Sequence, residues 1–187
     1  YGIYTEEELQ KFRDGSDPYG YPNTDWNKEV LLPRAWQQMH SLTASGGSDK
    51  VKYFAGFGYV KQDALYGDTR TNKSTSGFNR YNARVNIDAN IVDKYLNLSA
   101  DMAYRQEDRN SIAGSTSDVF NNMHRNPQTD PGRFPDGNLG KVSLGVNPIG
   151  LATEGGWVKD RKSVLNTRFM LDFNVPGLEG LNLKGIF

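Results

Sequence analysis

The stretch FNRYNARVNIDANIVDKYLNLSADMAYR, residues 78–105, alternates apolar and polar side chains on both sides of one short break. If Asp93-Lys94 is a two-residue turn, Val92 faces Tyr95 and every other pair follows from that register. One face then pairs Ala83, Val85, Ile87, Ala89 and Ile91 with Tyr104, Met102, Ala100, Leu98 and Leu96. The other face pairs Asn82 with Arg105, Arg84 with Ala103, Asn86 with Asp101, Asp88 with Ser99, and Asn90 with Asn97. The stretch therefore predicts an antiparallel hairpin with one apolar and one polar face.

Two further hairpins are predicted from the same alternation. Residues 37–45 and 50–60 flank Gly46-Gly47-Ser48-Asp49, and residues 163–175 and 181–187 flank residues 176–180. In the first of these, Ala55 is expected opposite His40, which puts His40 near the centre of the apolar row. In the last, Phe173 is expected opposite Leu183. The connections between hairpins are much longer, at residues 61–77 and 106–162, and they follow a lead segment at residues 1–36.

About six strands are therefore expected in an up-and-down order, with short turns at one end and long loops at the other. This asymmetry is typical of outer-membrane β-barrels. Each long strand holds about ten residues, which suits the tilted span of a hydrocarbon core. Tyr81 and Tyr104 fall toward the long loops, and Tyr53 and Tyr95 toward the short turns, where aromatic girdles occur. We expect an all-β fold, a partial antiparallel up-and-down transmembrane β-barrel with its wall in residues 37–187.

Six strands are fewer than the roughly eight that close the smallest such barrels. An open edge in lipid would leave backbone hydrogen-bonding groups unpaired. The sequence is therefore expected to be a fragment of a larger barrel. A soluble β-sandwich that binds carbohydrate is the alternative, because half-buried strands of a sandwich also alternate.

Short helices are expected before the first strand and within the longest loop. Thr5 and Glu8 are spaced for a capping box, and Asp14-Gly15 should end that helix. A second helical piece should begin at Thr24-Asp25-Trp26 and end before Pro33. A third is expected over residues 117–125.

Composition excludes several classes of function. Lysine and arginine number 22 and aspartate and glutamate number 22, so no basic field favours nucleic acid. Cysteine is absent, which excludes disulfides, thiolate zinc sites and cysteine nucleophiles. His40 and His124 lie in different predicted elements without further ligands at suitable spacing, so no metal site is expected. No catalytic residue or cofactor is predicted, since there is no serine elbow and the loop carboxylates suit turn capping.

Loop aromatics are the candidate ligand contacts, because an aromatic face complements the apolar face of a sugar ring. Trp157 follows Glu154-Gly155-Gly156 in the longest loop and is the best candidate, ahead of Trp26 and Trp36. Phe134 and its neighbour Arg133 are the other two candidates. For each of them, packing within the loop is the competing interpretation.

An ordered set of short motifs resembles one family of membrane proteins. The matches are Tyr4-Thr5-Glu6-Glu7-Glu8, Asp14-Gly15-Ser16-Asp17-Pro18, Asn23-Thr24-Asp25-Trp26, residues 37–47, Lys52-Tyr53-Phe54, Gly58-Tyr59, residues 80–88, Asn126-Pro127, Pro135-Asp136-Gly137, Asn147-Pro148 and Gly177-Leu178-Glu179-Gly180-Leu181. Together they resemble the SusC/RagA-like TonB-dependent outer-membrane transporters of Bacteroidetes-type bacteria. The family's TonB box and N-terminal plug are not among these matches.

The resemblance implies a parent protein in the bacterial outer membrane that imports glycan or peptide oligomers. It also implies two protein partners, a SusD-like surface lipoprotein lid and TonB, the latter engaged through the plug. In such a barrel the apolar row meets outer-membrane lipid and the long loops are extracellular. The polar row would face the plug and the lumen; its members are Asn82, Arg84, Asn86, Asp88, Asn97 and Asp101.

Overall fold

The structure, a computed structural model, describes residues 4–187 and divides into two compact units. The sheet unit consists of Gln37–Gln62, Phe78–Arg109 and Asp160–Phe187. The loop unit contains the segment before Gln37 together with Asp63–Gly77 and Asn110–Lys159. Residues 1–3 of the predicted lead segment lie outside the described residues. The rest of the lead segment and most of both long connections thus belong to one folded unit.

Antiparallel β structure dominates the chain. In chain order the strands are β1 (Gln37–Gly47), β2 (Val51–Asp63), β3 (Gly67–Asp68), β4 (Lys73–Ser74), β5 (Gly77–Val92), β6 (Leu96–Ile112), β7 (Trp157–Asn174) and β8 (Asn182–Ile186). The six long strands form one open sheet in the order β1-β2-β5-β6-β7-β8, while β3 and β4 pair separately. The predicted up-and-down order of six antiparallel strands, with short and long connections alternating, is confirmed for this open sheet.

Several strands are longer than the alternation predicted. β2 continues to Asp63, β6 continues to Ile112, and β7 already begins at Trp157. The remaining long connections are therefore residues 64–76 and 113–156, instead of 61–77 and 106–162. The extension of β6 was missed because residues 106–111 are polar on both faces, so no alternation marks them as a strand.

The middle hairpin has the predicted register. Asn86 hydrogen-bonds Asp101 across the two strands, and Ser99 Oγ donates to Asp88 Oδ1 at 2.6 Å. The Tyr95 N–H donates to the Val92 carbonyl at 2.9 Å, which closes the turn. Lys94 has a φ of 69°, in the left-handed region. Tyr95 belongs to this turn, and β6 starts one residue later than predicted.

The last hairpin is also confirmed. Phe173 pairs with Leu183 and Leu171 with Gly185, as the sequence predicted. Backbone hydrogen bonds then join Val175 to Leu181 at 3.1 Å, and Phe169 to Phe187 at 3.0 and 2.9 Å.

The predicted register of the first hairpin is wrong by four residues. His40 pairs with Tyr59 instead of Ala55, and Leu42 pairs with Phe57. The reason is that β1 continues through Gly46 and Gly47, and the turn is made by Ser48, whose N–H donates to the Val51 carbonyl at 2.7 Å. Because the shift is an even number of residues, the faces are unchanged. His40 nevertheless moves from the centre of the apolar row to its long-loop end.

The loop unit has a core of its own. Its helices are α1 (Glu6–Asp14), α2 (Trp26–Val30), α3 (Thr116–Arg125) and α4 (Pro148–Thr153). The buried cluster consists of Trp26, Val30, Tyr66, Ile112, Val119, Met123, Ile149 and Ala152. Full burial of a valine, isoleucine or methionine side chain contributes about 1.5–3 kcal/mol. The loop unit is therefore stabilised by a hydrophobic core of its own. None of the helices in residues 4–187 is long and apolar enough to cross a membrane.

Capping residues explain where these helices begin. Thr5 and Glu8 form the predicted capping box of α1, which ends at Gly15 with a φ of 65°. Asp25 caps α2 by accepting from the N–H groups of Asn27 and Lys28. Helix α4 was missed, although Asn147 at its N-cap followed by Pro148 is a common start of a helix.

Lead segment and loops are joined by hydrogen bonds within the loop unit. The Thr24 N–H donates to the Gln128 carbonyl at 2.8 Å, and Trp26 Nε1 donates to the Pro127 carbonyl at 3.2 Å. Thr69 Oγ1 donates to the Glu29 carbonyl at 3.2 Å. These contacts fix segments that are distant in sequence, and they assign Trp26 to packing within the loop unit.

Candidate functional site: the two faces of the sheet and the loop surface

The apolar face of the sheet unit is built by alternate side chains of all six long strands. Its members are Leu42, Ala44, Tyr53, Ala55, Phe57, Ala83, Val85, Ile87, Ala89, Ile91, Leu96, Leu98, Ala100, Met102, Leu165, Phe169, Leu171, Phe173 and Leu183. None of these side chains is buried; Leu42 is 71% exposed, Ile91 56% and Leu165 61%. Within residues 4–187 the only other sheet is the two-residue ladder of β3 and β4, so no second layer makes a sandwich.

A row of aromatic rings ends the apolar face on the side of the long connections. The His40 ring stacks on Tyr59 with centroids 6.2 Å apart, and Tyr59 lies 5.1 Å from Tyr81. Tyr104 stands on the next strand of the same face. The Tyr59 hydroxyl donates to Asn79 Oδ1 at 3.4 Å and the Tyr104 hydroxyl to Gln106 Oε1 at 2.9 Å. The rings thus lie beside apolar side chains while their hydroxyls meet polar groups.

The polar face carries the six residues predicted to face a lumen. Asp101 accepts from Asn86 on β5 and from Arg168 on β7, whose Nε lies 2.9 Å from Asp101 Oδ2. Asp88 accepts from Ser99. Asn82 is half-buried, whereas Arg84 and Asn97 are exposed. Asp101 and Asp88 are therefore joined to neighbouring strands by hydrogen bonds. Arg168 was not predicted as a partner of Asp101, because the long loop before β7 separates the two residues in sequence.

The polar row continues to the last strand. Asp172 hydrogen-bonds Asn182 and lies 3.8 Å from the Lys184 ammonium. Asn182 Nδ2 also donates to Asn174 Oδ1 at 2.9 Å. On β1 and β2 this face mixes small and large apolar side chains. The small residues are Ser41, Thr43, Gly56 and Gly58, and the large ones are Met39, Phe54 and Val60. The face is therefore predominantly polar on β5, β6 and β7 and mixed on β1 and β2, and the pair Met170–Ile186 adds an apolar spot between β7 and β8.

Two of the three ligand-contact candidates are exposed aromatic rings in the loop unit. Trp157 is 64% exposed, with the Lys159 ammonium 4.5 Å from its ring centroid. Phe134 is 38% exposed and lies 6.4 Å from the Tyr19 ring. Trp36 is also exposed, at 62%, with the Arg34 guanidinium 5.8 Å away. Ligand contact by Trp157 and Phe134 stays a prediction.

Arg133 lies in a different environment from the two aromatic candidates. Its side chain is only 11% exposed and its guanidinium donates to the Gly137 carbonyl, to Glu154 Oε1 and to Thr153 Oγ1, at 2.9, 2.9 and 3.1 Å. These bonds tie the turn after Phe134 to the end of α4. Arg133 thus has a structural role, and its contact with a ligand stays a prediction.

Asp68 and Asp130 are two further charged groups of the loop unit that have hydrogen-bond partners within it. Arg70 Nε donates to Asp68 Oδ1 at 3.2 Å. Partial burial acts to raise the pKa of Asp68, but the hydrogen bonds and charge of Arg70 outweigh it and hold this pKa below its usual value. Asp130 is buried and accepts from the Ser143 N–H at 2.7 Å. In the described residues no three histidine, aspartate or glutamate side chains are grouped to hold a metal ion.

No protein-family model and no curated protein matches this chain.

Arg133 gives a testable prediction about the loop unit. We expect Arg133→Met to destabilise it by about 1–3 kcal/mol, because three acceptors lose their donor in a mostly buried setting. The measurement is urea unfolding of the whole chain, with amide hydrogen exchange of the turn after Phe134.

The matched control is Glu154→Gln, which keeps an oxygen acceptor for Arg133 at a side chain that is 53% exposed. It should cost less than about 1 kcal/mol. Equal losses in the two variants would contradict the structural role given to Arg133.

Proposed function

We propose that this chain forms part of the barrel wall and outer loops of a SusC/RagA-like TonB-dependent importer in a bacterial outer membrane. The single observation that carries the proposal is the uncovered apolar face of the sheet unit. Soluble monomers rarely expose contiguous apolar patches larger than roughly a few hundred Å². Hydrocarbon is the environment that suits a face of this composition, opposite a face that is predominantly polar on β5, β6 and β7.

The open edges of the sheet support the same proposal. In residues 4–187, β1 and β8 each have one neighbouring strand, so the outer edge of each keeps unpaired backbone N–H and C=O groups. Such groups cost several kcal/mol each in lipid, by the usual order of magnitude. Further strands of a larger barrel wall would pair with them.

The polar face suits the lumen of such a barrel. Its carboxylates are already hydrogen-bonded to neighbouring strands, as Asp101 is to Arg168 and Asp88 to Ser99. Exposed groups such as Arg84 and Asn97 stay available to water or to a plug. The proposed division is therefore lipid on one side of the sheet and water or protein on the other.

The substrate and partners follow from the family resemblance. The importer would take up glycan or peptide oligomers, with a SusD-like lipoprotein lid outside and TonB acting through a plug. The loop unit would contribute to the outer surface, where exposed Trp157 is the first candidate for contact with a sugar ring. No chemical step is assigned to this chain.

A charge on the apolar face tests the membrane assignment. We expect Ile87→Lys to lower the free energy of unfolding in lipid vesicles by about 2–4 kcal/mol, because the ammonium would lie near the middle of the hydrocarbon. The measurement is urea unfolding of the chain refolded into vesicles.

Asn86→Lys is the control, because it makes the same substitution at the neighbouring residue on the opposite face. Its ammonium can still donate to Asp101, so its effect should stay below about 1.5 kcal/mol, the contribution of one hydrogen bond. Equal destabilisation at both positions would count against lipid on the Ile87 side.

Trp157 tests the ligand assignment. Trp157→Ala should leave stability unchanged, since the ring is 64% exposed, and weaken oligosaccharide binding by about 1 kcal/mol or more. The measurement is titration of a panel of neutral oligosaccharides, with short peptides as the second ligand class.

Trp36→Ala is the matched variant, because Trp36 is 62% exposed and also lies beside a cation. It should bind the panel as the unsubstituted chain does. A chain that binds sugars equally well with and without Trp157 would remove this residue from the site.

A further inference from the structure

Beyond Tyr104, the apolar face of the sheet unit changes abruptly into a hydrogen-bonded polar patch. The patch consists of Gln106 and Asp108 on β6 and of Arg161 and Ser163 on β7. Gln106 Nε2 donates to Asp108 Oδ2 at 2.9 Å, and Arg161 Nε donates to Asp108 Oδ1 at 2.5 Å. Tyr104 Oη reaches Ser163 Oγ at 3.4 Å.

These side chains lie on the same face as the apolar residues. Residues two apart in a strand point the same way, and the bonds from Tyr104 to Gln106 and from Gln106 to Asp108 follow that spacing. On β7, Ser163 and Arg161 continue the series of Phe169, Thr167 and Leu165. The patch is therefore the continuation of the apolar face toward the long connections.

We propose that this patch docks on the phosphate-bearing headgroup layer of the membrane. The proposal rests on the proposed function, since it places the edge of the hydrocarbon at the aromatic row of His40, Tyr59, Tyr81 and Tyr104. Tyrosines favour such an interface because the ring is apolar and the hydroxyl polar. The hydroxyls of Tyr59 and Tyr104 bond polar groups on the side of the long connections.

Arg161 is the phosphate-binding group of the patch. A guanidinium has five N–H donors in a planar fork that matches phosphate. In Arg161 the Nε donor and one donor of Nη2 face Asp108, which leaves the two N–H groups of Nη1 and the second N–H of Nη2 for a phosphate. The side chain is 70% exposed. Asp108 is 27% exposed and also accepts from Gln106, so it acts as a positioning residue for Arg161.

The test uses nitroxide labels on single cysteines, which is clean because the chain has no cysteine of its own. The variants are Met102→Cys on the apolar face, Gln106→Cys and Ser163→Cys in the patch, and Lys162→Cys beside Ser163 on the opposite face. Each is reconstituted as the whole chain in phosphatidylcholine vesicles. Broadening of the lipid phosphorus resonance reports contact with headgroups, and broadening of acyl-chain signals reports contact with hydrocarbon.

We expect labels at Gln106 and Ser163 to broaden the phosphorus resonance more than labels at Met102 or Lys162. The Met102 label should instead broaden acyl-chain signals. Acyl-chain broadening by the patch labels, or no lipid broadening by them while Met102 contacts acyl chains, would overturn the headgroup contact and leave the proposed function standing. A Met102 label that contacts water alone would contradict the proposed function itself.

A second comparison isolates the guanidinium. With the Ser163 label in place, Arg161→Gln should reduce the phosphorus broadening, and Arg161→Lys should retain most of it. The same comparison with phosphatidylglycerol added should enlarge the difference between the two variants, because its headgroup is anionic. An identical phosphorus signal in both variants would exclude Arg161 as the phosphate-binding group.

Discussion

The strict opposition of side chains on neighbouring strand residues is the constraint on which the sheet unit depends. In β5 and β6 it places Val85, Ile87 and Met102 on the apolar face. Asn86, Asp88 and Asp101 lie on the polar face. A one-residue slip in any pair would exchange the two faces. Interstrand bonds on the polar face, from Asn86 to Asp101 and from Arg168 to Asp101, oppose such a slip. On the apolar face, Val85, Ile87 and Met102 have no side-chain hydrogen-bonding groups of this kind, so they add no directional contact to the register.

The loop unit differs from the sheet unit because its apolar side chains are buried in a core of its own. Trp26 from the lead segment, Tyr66 from the shorter connection and Val119 from the longer one share one core. Asn147 donates to the carbonyls of Gly132 and Gly140, both at 2.9 Å, and caps α4. Long connections that would otherwise cost much conformational entropy are thus ordered by packing and by satisfied backbone groups. An ordered surface of this kind can present Trp157 and Phe134 to a ligand.

Sequence alone predicted those parts of the fold in which local pattern and tertiary structure agree. The turn at Asp93-Lys94 and the pairing of Phe173 with Leu183 follow from alternation and from short turns. The predicted register of the first hairpin was wrong because Gly46 and Gly47 resemble turn residues. Gly46 instead pairs with Tyr53 in the strand, where a Cβ would come within 2.7 Å of the Tyr53 hydroxyl. The polar end of β6 and the pairing of Arg168 with Asp101 depend on contacts across residues 113–156, which no local pattern contains. For the same reason, sequence could nominate Arg133 but could not reveal that its guanidinium is already engaged.

The most direct test of lipid on one face and water on the other compares two alanines of the same strand. Ala100 and Ala103 lie on β6, both half-buried, with Ala100 on the apolar face and Ala103 on the polar face. Each is replaced by cysteine in the chain reconstituted in vesicles, and the rate of reaction with a membrane-impermeant maleimide is measured before and after unfolding. Fast reaction of Ala103→Cys, with Ala100→Cys protected until the chain unfolds, is the predicted result. Equal rates at the two positions in the folded, vesicle-bound chain would contradict the account.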